Sequence, residues 1–285
     1  MSRRNAEILL AAVIVARSAS LLFAKVGLSS ISPLNLLGVR FCLAFFVLAI
    51  LFARRLAKVT AENRLCGMFL GGSFFAVMVA EMFALKATDA STTSFLENTA
   101  IVIVPLLEAF LHRRKPNARI LFSAVITLVG VAFLTLREGM GIGMGELLCI
   151  LTALLYASSI ILTDRLSHRG DPFLLGILQV GFMGVFSLAA SFLFEQPRMP
   201  QNSTEWMVIL MLALVCSCFG FTLQPVAQKY SSSARAAQFC ALNPLSVVIL
   251  SALFLDERLG LYGLIGAALI LAGIAIQSGR QQEAA

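Results

Sequence analysis

ARSASLLFAK, residues 16–25, and LYASSIILTD, residues 155–164, are two versions of one stretch, set 139 positions apart. In the same register Glu7 falls on Glu146, Ser20 on Ser159, Pro33 on Pro172 and Arg40 on Gln179. Further along, the offset becomes 143, which places Glu81 on Gln224, Lys86 on Lys229 and Gly130 on Gly273. Two registers supporting one duplication leave little room for chance. Each copy holds about five apolar runs, and an odd number of spans inserts the second copy upside down, as in many alternating-access carriers. The expected fold is an all-α polytopic membrane protein with ten transmembrane helices, a 5+5 inverted-topology repeat around a central cavity. Its two five-helix units are residues 1–138 and 139–285, meeting at the glycine-rich 138–145 (EGMGIGMG).

Composition agrees. Of 285 residues 59% are hydrophobic and 13% charged, with a mean hydropathy of +0.90. A soluble domain carries about twice that charged fraction, ~25%. The net charge of +7 does not indicate a nucleic-acid partner, because the basic residues sit in short clusters between apolar runs. Cys42, Cys66, Cys149, Cys216, Cys218 and Cys240 fall in or beside those runs without a CxxC spacing, which reads as buried thiols and gives no metal site. No cofactor is expected. The N-terminal MSRRNAEILL reads as the start of an uncleaved first span.

Runs of spanning length lie at 7–28, 34–53, 65–86, 93–111, 119–136, 146–163, 173–194, 205–225, 234–254 and 260–277. Each is long enough to cross a ~30 Å hydrocarbon layer as a helix. If the N-terminus is cytoplasmic, fourteen Lys and Arg residues fall on inner segments and four on outer loops, which places both termini inside. The expected location is the cell inner membrane.

Several stretches resemble the drug/metabolite transporter superfamily, in particular its ten-helix EamA branch. RSASLLFAKVGL (17–28) resembles the first-helix motif ending in a lysine, here Lys25, and PLNLLGVRF (33–41) the second-helix pattern with an arginine, here Arg40. FALKATDASTTSFL (83–96) and IVIVPLLEAFLHRRKP (101–116) resemble the helix 3 to helix 4 segment. LQPVAQKYSSSARAAQF (223–239) and LNPLSVVILSALFLDERL (242–259) resemble the helix 8 to helix 9 signature. The resemblance covers essentially the whole chain. It implies a monomer-sized bundle, monomeric or homodimeric, that carries small metabolites by secondary transport, often exporting amino acids or related compounds. The chain departs from the pattern at Arg17, where an aromatic residue is common, at Glu81 and Glu97, where neutral residues are common, and at Asn243, where a glutamate often precedes the proline.

Charge inside a membrane span costs several kcal/mol (about 3 or more) unless it is paired or faces water, so each such residue is a functional candidate. Glu81, Glu97 and Arg40 are expected at one depth in the outer half, with Arg17 deeper. In the functional reading, two carboxylates and one or two guanidiniums form a charged layer on the outer side of the cavity that selects a substrate. A carboxylate removed from water takes up a proton more readily, so Glu81 and Glu97 are candidates for proton coupling. The alternative is structural: Arg40–Glu97 or Arg17–Glu81 as buried ion pairs that lock helices. The second half offers neutral counterparts, Tyr156, Gln179, Gln224, Gln238 and Asn243, and Asn98 adjoins Glu97. Lys25 is expected to snorkel to the headgroups. Glu7, Glu108, Glu146 and Arg235 are expected at interfaces, and Asp256, Glu257 and Arg258 in a turn. Pro105, Pro225 and Pro244 mark places where helices bend or open.

His112 and His168 fall in expected loops, and the chain has no glycine-rich phosphate loop, HExxH or GxSxG. An enzyme is not expected. The expected partners are a small-molecule substrate, the lipid bilayer and coupling protons, with no nucleic acid. The sequence favours carriage of an amino acid or related zwitterion. Alternatives are an organic cation or amine and, in another class, a flippase or enzyme acting on a lipid-linked group.

Overall fold

The computed structural model describes residues 3–88, 90–135, 143–246 and 261–278, and every element among them is helical. In chain order these are α1 (Arg3–Ser18), α2 (Ser20–Gly27), α3 (Pro33–Leu51), the short α4 (Ala53–Leu56), α5 (Ala61–Ala87), α6 (Ala90–Asn98), α7 (Ala100–Leu111) and α8 (Ala118–Thr135). There follow α9 (Met144–Ser167), α10 (Pro172–Phe194), α11 (Ser203–Leu210), a π-helical stretch (Met211–Phe221), α12 (Thr222–Gln228), α13 (Ser233–Phe239) and α14 (Leu261–Ser278). Seven continuous or nearly continuous helical runs are long and apolar enough to cross a membrane. Two more apolar helices, Ala118–Phe133 and Ile265–Ile276, are shorter. The expected run at 234–254 is described only as far as residue 246, and Asp256, Glu257 and Arg258 lie outside the described residues.

Local chemistry sets the starts of these helices. Pro172 opens α10 behind Asp171, whose carboxylate accepts from the Phe173 amide at 2.9 Å. Asn202 caps α11 by accepting from the Glu205 amide at 2.8 Å. The start of α3 is capped from a distance: the Glu195 carboxylate accepts from the amides of Leu34 at 3.1 Å and Asn35 at 2.8 Å. A carboxylate at that position also answers the positive end of the helix dipole.

Small residues let the helices approach, which is how helices associate where lipid is as apolar as leucine. A Cβ on Gly184 would stand 2.9 Å from the Cys42 amide nitrogen, one on Gly38 3.2 Å from the Leu188 Cα, and one on Gly181 2.7 Å from the Phe45 ring. Rising residue numbers on α3 therefore meet falling numbers on α10, and the two helices cross antiparallel. The same holds for α8 and α14, where Gly130 meets Gly266 and Ile270 while Gly273 meets Ser123. In each of these pairs the two helices occupy matching places in the two sequence copies. The outward faces carry exposed Phe46, Phe69, Phe110, Phe192 and Leu193, as a lipid-facing surface requires.

Two polar ties join the copies at opposite ends. Arg235 of α13 pairs with Glu7 of α1 at 3.0 Å, and Glu146 of α9 accepts from the Thr88 hydroxyl at 2.9 Å. Glu7 and Glu146 are the matched pair of the 139-residue offset. Neither is simply an interfacial charge, and Arg235 is buried.

Candidate functional site

The helices are locally irregular where the charged residues meet. The first span has a one-residue irregularity at Ala19, between α1 and α2, and the fourth at Thr99, between α6 and α7, both residues keeping right-handed helical φ and ψ. A third falls at Cys240–Ala241, between α13 and the helical 242–246. Pro244 accounts for this last one. It has no amide to give the Cys240 carbonyl four residues back, and its ring crowds that carbonyl. Pro225 likewise withdraws a partner from Phe221, the residue that ends the π-helical stretch. At Ala19 no proline is involved; the preceding Ser18 hydroxyl bonds the Val15 carbonyl at 2.5 Å, a local alternative to helical pairing. Pro105 and Pro225 themselves lie inside helices, so the openings sit beside the prolines and not at them.

Between these points is a small, open-mouthed cavity lined by Arg17, Ser18, Ser20, Leu21, Met78, Glu81, Glu97, Phe221 and Asn243. Glu81 and Glu97 both reach it although only 4% and 9% of their surfaces are exposed. The charges of Arg17 and Arg40 act on Glu81, and those of Glu81 and Arg17 act on Glu97.

The buried ion pairs that a structural role would require are not formed. Among the described residues no ion pair joins Arg40 to Glu97 or Arg17 to Glu81. The guanidinium of Arg17 instead donates from Nη1 to Gln224 Oε1 at 2.7 Å, with its carbon 4.1 Å from the centre of the Phe221 ring and 5.9 Å from that of Tyr156. Arg40, almost wholly buried, donates from Nε to Ser217 Oγ at 2.8 Å, and Ser217 donates to the Leu212 carbonyl at 2.9 Å. The Arg40 guanidinium also lies 4.8 Å from the Phe41 ring centre and 6.0 Å from that of Phe221. Both cations are thus held by neutral dipoles and ring faces, and among the described residues neither carboxylate forms an ion pair.

Four of the ten residues expected in the cavity line it: Arg17, Glu81, Glu97 and Asn243. Arg40, Tyr156 and Gln224 stand directly behind, the last two touching Arg17. Tyr156 is held by Cys240, whose sulfur lies 3.2 Å from the phenol oxygen. The other three are elsewhere. Asn98 turns its amide back onto the Ser94 carbonyl at 2.7 Å, and Gln238 donates to Thr127 at 3.1 Å. Gln179 is fully buried on α10, where its backbone carbonyl faces Gly71. The exposed Lys25 ammonium donates to the carbonyls of Leu85 at 2.5 Å and Thr88 at 2.8 Å, tying α2 to the end of α5.

Ser18, Ser20, Ser217, Gly220 and Phe221 have places here that the sequence did not announce. A Cβ on Gly220 would stand 2.9 Å from Arg17 Cδ and nearer still to its Cγ, so this glycine makes room for the arginine. Ser217, Gly220 and Phe221 all belong to the π-helical stretch, and π-helical turns collect at functional sites.

Two stretches of the chain, residues 4–136 and 143–279, each match the EamA-like transporter family. An uncharacterised transporter of Archaeoglobus fulgidus is 26% identical over 292 residues, covering 97% of this chain and 98% of its own length. The uncharacterised transporter YxxF of Bacillus subtilis is 25% identical over 222 residues, covering 76% of this chain and 69% of its own. A solved crystal structure superposes with a TM-score of 0.79 over 99% of this chain and 100% of that one, at 19% identity, a likeness of fold. Duplicated along its length and built of apolar helices, the chain belongs to the EamA-like transporter family, multi-pass membrane proteins of the transporter class.

Proposed function

We propose that the cavity is the substrate site of a secondary transporter that carries an amino acid or related zwitterion by alternating access. The observation that carries this reading is the placement of two carboxylates and one guanidinium on a single small cavity where three helices are locally irregular. Local irregularity of helices beside a polar cavity is a feature that transporter substrate sites share. A substrate with one positive and one negative group finds both complements there.

The ten-helix inverted repeat is part of the proposal. It is supported by the antiparallel crossing of matched helices, by the odd number of spans per copy and by the ties of Glu7 and Glu146 at opposite ends. The Lys and Arg distribution supports an inner-membrane protein with both termini in the cytoplasm. The carboxylates, which form no ion pair among the described residues, are the groups through which proton coupling would run. They also favour a second reading, in which the substrate is an amine and Glu81 and Glu97 are its partners.

The test is thermal stabilisation of the purified protein against a library of amino acids, amines and nucleobases, repeated with Glu81→Gln and Glu97→Gln. A zwitterion that stabilises the wild type and loses its effect in both variants is the expected result. A best ligand that stabilises the variants equally well removes the carboxylates from the site.

A further inference from the structure

Arg17 occupies a place that has every property of a cation site. Its guanidinium lies over the face of Phe221, beside Tyr156, against the amide oxygen of Gln224 and in the field of Glu81 and Glu97. Ring faces, an oxygen acceptor and carboxylates are what a protein assembles around a bound ammonium or guanidinium ligand. Here the occupant is built in. Gly220 keeps the space for its stem, and the two serines flanking the Ala19 irregularity border the same cavity. Among the described residues Arg17 makes one hydrogen bond, through Nη1, out of the five donors a guanidinium carries. Its unused donors belong to a side chain that itself lines the cavity.

We infer that Arg17 is the specificity-determining residue of this cavity: it fills a cation-binding position from within, so that the wild-type protein refuses free organic cations and presents a guanidinium to the negative group of its substrate. This rests on the cavity being the substrate site and deepens that reading by deciding between its two substrate classes. A free amine entering the wild-type cavity would meet a like charge already lying on the aromatic ring. A zwitterion or anion meets a half-used guanidinium fork. Removal of the Arg17 side chain frees the ring face and the two carboxylates for a soluble guanidinium, with Arg40 remaining behind Phe221, 6.0 Å from its ring centre.

The probe is methylguanidinium chloride at millimolar concentration, against sodium chloride of equal ionic strength, with thermal shift and equilibrium binding as readouts on detergent-purified protein. Arg17→Ala is expected to bind methylguanidinium saturably and to gain thermal stability from it. The wild type is expected to bind at least tenfold more weakly, and the double variant Arg17→Ala with Glu97→Gln to lose at least tenfold of the gained affinity. If Arg17→Ala does not fold, Arg17→Gln, which keeps an amide opposite Gln224, carries the same measurement. Equal binding by the wild type and the variant, or none by the variant, overturns the inference. The readout uses no transported substrate. Methylguanidinium binding by Arg17→Ala in a protein for which the ligand library finds nothing would remove the substrate reading and with it the specificity role, leaving only the cation position; a zwitterion found by the library without methylguanidinium binding by the variant would sink only this inference.

Discussion

Gly220 and Arg17 are a matched pair, one giving up a side chain so that the other can lie flat against Phe221. Gly220→Ala would force the arginine stem off the ring, and overpacking of this kind costs about 1–3 kcal/mol. The expected outcome is a lowered melting temperature together with at least tenfold weaker binding of the best zwitterionic ligand, measured by thermal shift and titration. Normal binding with only a stability loss would show that the Arg17 position is unimportant to the ligand. At this scale the sequence was half legible. Arg17, Glu81 and Glu97 stood out because charge is costly in an apolar run. Phe221 did not, being one of 22 phenylalanines, and nothing local marks a ring that serves two cations. Ser217 was equally silent, since its role depends on a contact 177 residues away. Asn98, Gln179 and Gln238 were misplaced for the same reason: helical spacing gives a face, and a face does not say which neighbour fills it.

Among the elements, the irregular points matter most. Pro244 interrupts the helix at Cys240, and Cys240 is the partner of the Tyr156 hydroxyl behind Arg17. Pro244→Ala supplies an amide four residues after Cys240, whose carbonyl now accepts from the Asn243 amide at 2.9 Å, and helical continuity favours the change by up to about 3 kcal/mol. The variant is expected to melt no lower than the wild type and yet to lose most transport, by tenfold or more in proteoliposomes. Unchanged transport with unchanged stability would mean that this break serves packing alone. The prolines were visible in the sequence, and their consequences were read one step off. A proline leaves its mark on the carbonyl four residues before it, so Pro244 and Pro225 act at Cys240 and Phe221 while sitting within helical segments themselves. The Ala19 irregularity carries no such marker; serine flanks are too common in membrane helices to announce one.

For the whole molecule, the duplication was the most legible feature, and the two family matches at 4–136 and 143–279 agree with it. Matched helices α3 and α10, and α8 and α14, cross antiparallel on close glycine contacts, as two copies entering a bilayer from opposite sides would. The copies differ most at the cavity. Arg17 stands against Tyr156, Arg40 against Gln179 and Glu81 against Gln224, and of these six Arg17 touches both Tyr156 and Gln224. The charged member of one half is thus held by the neutral members of the other, an arrangement that requires both copies to face one cavity. Lys25 and the Arg235–Glu7 pair, read from sequence as membrane-surface residues, are ties between helices near the two ends. Loss of the pair through Arg235→Ala removes a tie between the copies while Glu7, its side chain 22% exposed, keeps access to water, and is expected to lower the melting temperature by an amount that corresponds to about 1 kcal/mol.

The most direct measurement is uptake of the best-stabilising zwitterion into proteoliposomes by the wild type, Glu81→Gln and Glu97→Gln, each followed from acidic to neutral pH. The account predicts saturable, pH-dependent uptake by the wild type and a loss of at least tenfold in kcat/KM, about 1.4 kcal/mol of transition-state stabilisation, in each variant. Uptake by both variants at the wild-type rate would contradict it, since the charged cavity would then have no part in carrying the substrate.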